Sequence, residues 1–506
     1  MQPTSPLLSN PLTPPSLPRV LGLWMTTAIV VGTVIGSGVF KKGRNVADDV
    51  PEVGLAMGVW VLGGVLALLG ALALAEVAVL FPRAGGQYVF LREAYGRGPA
   101  FLFGWVDFWI IRSASIAALA TMFTESFHDI LKQSLHPGER VDLLAFWPRQ
   151  LLTMLVIAGL AAVNARGTRL GGGLQFVLTV VKVASLLFII VLPFAVYAAT
   201  TEPTHPPRLE HLKPTWPADW LGINWAKFGA ALISVLWAYH GWMNIAPVAG
   251  EVRNPQRNLP LGLLGGVVLL IGLYCGANIA YDLVLSRDTM TAKNERGELS
   301  ETPVATEFCL ALLGPIGAVI ASAIIMVSVF GALNGNLLVG PRLLYAMGGD
   351  RLAPAKLSEV HPRYETPVLA TAVLAGWSCL LVLVLGALLQ SDLPLFDTDK
   401  VGPDGKFAKK SPFDVMTNFA MFGAVTFETL AVASIFVFRV RIPATPENRP
   451  YRCWGYPFVP MLYVALMAGV IVTFFATPQQ RGEAMIGLGF IGTGAIVYLL
   501  AYRRSG

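Results

Sequence analysis

The sequence predicts an all-α membrane protein with about twelve transmembrane helices, two of them broken, and three observations carry that prediction. Hydrophobic residues make up 55% of the 506-residue chain and charged ones 13%, against about 25% charged in an ordinary soluble domain. The apolar residues fall into successive runs of about 20, the length that crosses a bilayer as a helix. Two of these runs, the first and the sixth, are interrupted by glycine.

Taken in order, the first 18 residues are rich in Pro and Ser. They offer little apolar surface to bury and are expected to form a disordered tail, not a targeting signal. Residues 19–506 read as one transmembrane domain, with spans near 20–43, 53–80, 99–127, 144–163, 172–198, 225–250, 260–284, 314–347, 367–389, 413–438, 457–476 and 483–501. No room remains for a separate soluble domain.

The first span contains Gly32, Gly36, Ser37 and Gly38. Glycine in a helix interior costs roughly 1 kcal/mol relative to alanine, and in hydrocarbon every freed backbone group needs another partner. The segment therefore reads as an unwinding near mid-membrane. It exposes N–H groups at the start of the second half-helix and carbonyls at the end of the first. Such ends bind a carboxylate and an ammonium together, and an amino acid carries both.

The sixth span runs through Trp237, Ala238, Tyr239, His240, Gly241, Trp242, Met243 and Asn244 to Pro247, Gly250 and Glu251. Aromatic bulk before a polar residue and a glycine, with proline after, marks a second interruption five spans after the first. Breaks in matching positions point to an inverted repeat: repeat one about 20–198, repeat two about 225–438, and two extra helices about 457–501. The alternative is that Gly36 and Gly241 serve close helix packing.

Four cysteines, Cys275, Cys309, Cys379 and Cys453, lie too far apart for a disulfide framework or a metal knuckle and read as small apolar residues. The net charge of +6 comes from residues scattered among short loops, which excludes a nucleic-acid face. With both termini cytoplasmic, Arg83, Arg92, Arg97, Arg253, Arg257, Arg351, Arg439 and Arg441 fall on the cytoplasmic side; longer loops opposite carry a similar number of basic residues, so charge gives only a lean. No Walker loop, HExxH or CxxC is present, and the glycine-rich break opens no βαβ unit. The sequence calls for no enzyme activity, cofactor or metal.

The segments 32–40, Ala75-Glu76 with residues 82–88, Trp237-Ala238-Tyr239 with Gly241-Trp242, and residues 251–260 together resemble the amino acid-polyamine-organocation superfamily. Trp105, Asp107, Arg112, Asn334-Gly335, Arg342 and Arg449-Pro450-Tyr451-Arg452 extend the match over nearly the whole chain. Within the superfamily the chain is most similar to prokaryotic L-type amino acid transporters. The resemblance implies a LeuT-like fold in the plasma (inner) membrane, crossed many times, with broken helices 1 and 6. It implies that the amides of Ser37 and Gly38, beside Gly36 in the substrate site, receive the substrate carboxylate, and carbonyls of Val34, Trp237 and His240 the ammonium. Trp237 matches the outer gate, Gly241 the second break, and Lys182 the lysine that stands where sodium-coupled relatives bind an ion.

His240 replaces a small or different polar residue and with Met243 is expected to shape a cavity for small or medium neutral side chains, since no acidic residue is expected near the break to neutralise a cationic side chain. A side chain on Gly38 is expected to intrude into the carboxylate space without unfolding the protein. Glu76, Asp107, Arg112 and Glu428 are expected to form structural pairs, none at a break. Animal members carry a disulfide-linked heavy chain through a cysteine between spans three and four; residues 128–149 have none, so no such partner is expected. The expected function is sodium-independent L-amino acid transport by alternating access, as exchange. Proton-coupled symport is the second reading, and an amino acid sensor that moves nothing the third.

Overall fold

The computed structural model describes residues 17–135, 143–200, 207–292, 300, 302–390, 397–401, 407–409, 412–443, 445, 449–475 and 478–502. The expected disordered tail lies outside these residues apart from Leu17 and Pro18. Helices come in the order α1 (Leu23–Val34), α2 (Gly38–Lys41), α3 (Gly43–Asp49), α4 (Val53–Leu80), α5 (Gln87–Tyr95), α6 (Arg97–Val106), α7 (Ser113–Leu135), α8 (Phe146–Ala165), α9 (Thr168–Ala199) and α10 (Trp225–Tyr239). They continue with α11 (Pro255–Val284), α12 (Arg287–Met290), α13 (Val304–Leu313), α14 (Pro315–Val339), α15 (Pro341–Gly349), α16 (Val368–Gln390), α17 (Pro412–Arg441), α18 (Phe458–Thr473) and α19 (Pro478–Val497). Between α16 and α17 two short strands, β1 (Asp397–Val401) and β2 (Phe407–Lys409), pair antiparallel. That small ribbon departs from the all-helical expectation.

Among the described residues, ten helical stretches are long and apolar enough to cross a membrane, and α13 and α18 are shorter apolar helices. The chain is thus a helical, multi-pass membrane protein. The expected sixth span is not a continuous helix: α10 stops after 15 residues, and a tighter 3₁₀ stretch carries the chain from Trp242 to Glu251.

Local chemistry explains the boundaries that matter. Asn224 caps α10, its side-chain oxygen accepting from the amides of Ala226 and Lys227 at 3.1 and 3.2 Å. Pro255, Pro315 and Pro341 open α11, α14 and α15 at the first turn, where a missing N–H costs nothing. Helix α1 packs against α9, α11 and α14, and α7 lies along α14, so the first break is enclosed by protein on all sides. The leading edge of α1 is tied to the end of the 3₁₀ stretch: Leu21 N–H donates to Glu251 at 2.9 Å and Arg253 N–H to Leu21 at 2.8 Å.

Candidate substrate-binding site

Helix α1 ends at Val34, because Ile35 turns to extended backbone (φ −68°, ψ 91°). The hydrogen-bond ladder resumes only where Phe40 and Lys41 donate to the Ser37 carbonyl. The amides at the head of α2 are left without helical partners, as at any helix start. In the sixth span α10 ends at Tyr239, and Gly241 takes φ 103°, a conformation that a side chain would strain. The two breaks are tied together. Thr33 Oγ1 donates to the Gly241 carbonyl at 3.1 Å, and the Tyr274 hydroxyl reaches both the Val34 carbonyl (3.0 Å) and the Ala238 carbonyl (3.1 Å).

A cavity lies between the breaks, lined by Thr33, Val34, Gly36, Ser37, Gly38, Ser115, Leu119, Trp237, His240, Gly241, Asn244 and Asn336. Ser37 is 1% exposed and its hydroxyl has no hydrogen-bond partner among the described residues. Opposite it, the ring of Trp237 stacks against that of His240, with centroids 6.2 Å apart. The Trp237 carbonyl already accepts from His240 N–H at 3.1 Å, and the Val34 carbonyl from Tyr274. The Val34 carbonyl keeps a second lone pair for a ligand.

Lys182 enters from α9 and is fully enclosed, with Nζ donating to the carbonyls of Gly32 at 2.6 Å and Ile35 at 2.7 Å. Both belong to the unwound stretch of the first span. Ser328 of α14 adds its hydroxyl at 3.2 Å from the Ile35 and Gly36 carbonyls. The freed carbonyls therefore have partners, whereas the head of α2 faces the cavity.

Three sequence expectations need correction. Met243 is buried under the Gln87 amide and does not line the cavity. A Cβ on Gly38 would lie 2.5 Å from Cα of Ala238, so that glycine permits backbone contact between the broken spans, and a side chain there opposes folding before it meets any substrate. The charged residues are paired, Glu76 with Arg439 away from the breaks, but Arg112 and Glu428 reach the breaks. Arg112 Nη1 donates to Asn244 and Asn336 on the cavity wall, each at 2.9 Å, and His240 Nδ1 lies 2.9 Å from Glu428 Oε1.

Asn336, Ser115 and Leu119 escaped the sequence reading, because nothing local says which helix face meets a break. Arg112, read from the sequence only as a structural pair, closes a widened helical turn over residues 107–112 between α6 and α7, a feature frequent at functional sites.

The amino acid permease family matches residues 21–500. The chain belongs to that family. The permease is 31% identical over 481 residues to the serine/threonine exchanger SteT of Bacillus subtilis, covering 94% of this chain and 95% of that one. It is 30% identical over 352 residues to the human b(0,+)-type amino acid transporter 1 (70% of this chain, 67% of that one). It is also 26% identical over 477 residues to the human cystine/glutamate transporter (94% and 83%). Family and relatives are membrane transporters, not enzymes.

Proposed function

We propose that this permease carries neutral L-amino acids of small or medium size across the plasma (inner) membrane, without sodium, by alternating access and as an exchanger. The observation that carries the proposal is the cavity between the two breaks. It joins the unpaired Ser37 hydroxyl and the head of α2 on one side to the carbonyls of Val34, Trp237 and His240 on the other. An α-carboxylate set against a helix N-terminus accepts charge-assisted hydrogen bonds there. The α-ammonium donates to the carbonyls opposite.

On this proposal Trp237 closes the cavity from outside, and Lys182 supplies the positive charge that a sodium ion supplies in coupled relatives. The chain then holds two inverted repeats, 20–198 and 225–438, with two additional helices to complete twelve spans and both termini cytoplasmic. With no cysteine in residues 128–149, it works without a disulfide-linked heavy chain. Glu428 removes the original reason for excluding cationic side chains. Its contact with His240 at 2.9 Å restores one, because the carboxylate already has that side chain as a partner.

Radiolabelled amino acid uptake into proteoliposomes tests the proposal. Uptake that requires internal amino acid supports exchange, and uptake driven by an inward proton gradient without internal substrate replaces exchange with symport. Binding without either movement points to a sensor.

A further inference from the structure

The loop that joins α17 to α18 carries a cluster of charge away from the breaks. Glu76, near the end of α4, is 1% exposed and is held by Arg439, whose Nε and Nη2 donate to its two oxygens at 2.7 and 2.6 Å. The amide of Cys453 adds a third donation at 2.7 Å. Arg449, itself 2% exposed, stands further off, with Nη1 3.8 Å from Glu76. Its Nη2 donates to the carbonyls of Phe438 (2.6 Å) and Ile442 at the end of α17, and its Nε has no hydrogen-bond partner among the described residues. Two guanidiniums thus share one carboxylate that Arg439 already occupies, and Arg452 bears on Arg449 as a further like charge. A buried cation so weakly compensated is costly. The cluster calls for an anion.

Arg449 and Arg452 line an open depression of about 600 Å³, completed by Pro450, Tyr451, Cys453 and Trp454, and among the described residues no acidic side chain lines it. Trp454 on its wall and Phe458, the first residue of α18, are each 76% exposed. Exposed aromatic rings at the start of a span belong at the level of the lipid headgroups. We propose that this depression binds the headgroup of an anionic phospholipid, its phosphate accepting from Arg449 Nε and from Arg452, with Trp454 and Phe458 against the glycerol and upper acyl chains. In the orientation proposed above, that lipid belongs to the cytoplasmic leaflet. Guanidinium suits the task, because its planar fork donates to phosphate oxygens in pairs. A zwitterionic lipid brings its own cation to the same arginines, and a soluble phosphate ester offers no chains to the two rings. The bound lipid braces α4, α17 and α18 together, since Glu76, Arg439 and the loop into α18 meet at this point.

The test titrates purified full-length protein in detergent with dioctanoylphosphatidylglycerol, dioctanoylphosphatidylcholine and glycerol 1-phosphate, for wild type, Arg452→Gln and Arg449→Gln. Wild type should bind the phosphatidylglycerol most tightly. Arg452→Gln should weaken that binding about fivefold, the effect of one basic residue near anionic headgroups, and Arg449→Gln should erase the preference over phosphatidylcholine. If Arg449→Gln fails to fold, Arg452→Gln decides for the arginines. Trp454 emission, read as the difference between wild type and Trp454→Phe, should be quenched by chain-brominated phosphatidylglycerol and less by brominated phosphatidylcholine. Equal binding of the two lipids by wild type, a preference that the arginine variants keep, an equal loss for both lipids, or a Trp454 signal that brominated phosphatidylglycerol leaves unchanged overturns the site. Glycerol 1-phosphate binding as tightly as the lipid overturns the lipid assignment in favour of a soluble anion.

Discussion

Lys182→Met offers the sharpest test of how the first break is held. The substitution keeps most of the side-chain length and removes two donations, at 2.6 Å to Gly32 and 2.7 Å to Ile35. Hydrogen bonds to charged groups contribute about 1.5–3 kcal/mol each, or roughly 3–6 kcal/mol for two. The relieved cost of keeping an ammonium out of water offsets part of this. Ile35 retains the Ser328 hydroxyl at 3.2 Å, whereas among the described residues no other donor reaches the Gly32 carbonyl, its helical partner having been lost to the break. The net penalty on the broken geometry is then about 1–3 kcal/mol, the cost of one orphaned buried carbonyl. At 1.4 kcal/mol per tenfold, exchange should fall roughly five- to a hundredfold. The assay is exchange in proteoliposomes, in sodium chloride and in choline chloride at matched pH, for both proteins. Equal wild-type rates in the two salts and a slow variant are expected. A wild-type sodium requirement, or a variant as fast as wild type, would refute the reasoning.

Three further outcomes follow from particular contacts. Gly36→Ala should fold and bind amino acids more weakly, since its Cβ meets nothing closer than 3.4 Å yet stands at the cavity wall, whereas Gly38→Ala should lower the melting temperature by driving a Cβ into Ala238; thermal denaturation with and without alanine separates the two. Glu251→Ala should cost about 3–5 kcal/mol by stranding Arg342, which it meets at 2.9 Å with both side chains at most 1% exposed, and adding Arg342→Met should recover part of the loss in melting temperature. Asp49, on α3 between the first two spans, has its carboxyl pushed up to about 6 by burial first and by Asp48 second. The folded state therefore holds that proton more tightly than the unfolded chain, stability is full below about pH 4 and is lost as pH rises toward 6, and Asp49→Asn should flatten the slope and raise the melting temperature at pH 7.

Much of the architecture was legible locally. Apolar run length marks a span whatever it packs against, and a cluster such as Gly36, Ser37 and Gly38 weakens a helix by its own backbone freedom; Gly241 does the same and takes a positive φ. Those properties belong to a few consecutive residues, so seven of the eight expected substrate residues line one cavity. Met243 fails because its side-chain direction was settled by Gln87, 156 positions away.

What only the tertiary structure decided are the partners. Glu251 meets Arg342, Glu76 meets Arg439, Arg112 reaches Asn244 and Asn336, and Glu428 comes to His240. Helical periodicity states which residues share a face but not which helix that face will meet. In a bilayer, where each buried charge must find its opposite or a hydrogen-bond partner, those pairings were chosen by the packed bundle as a whole.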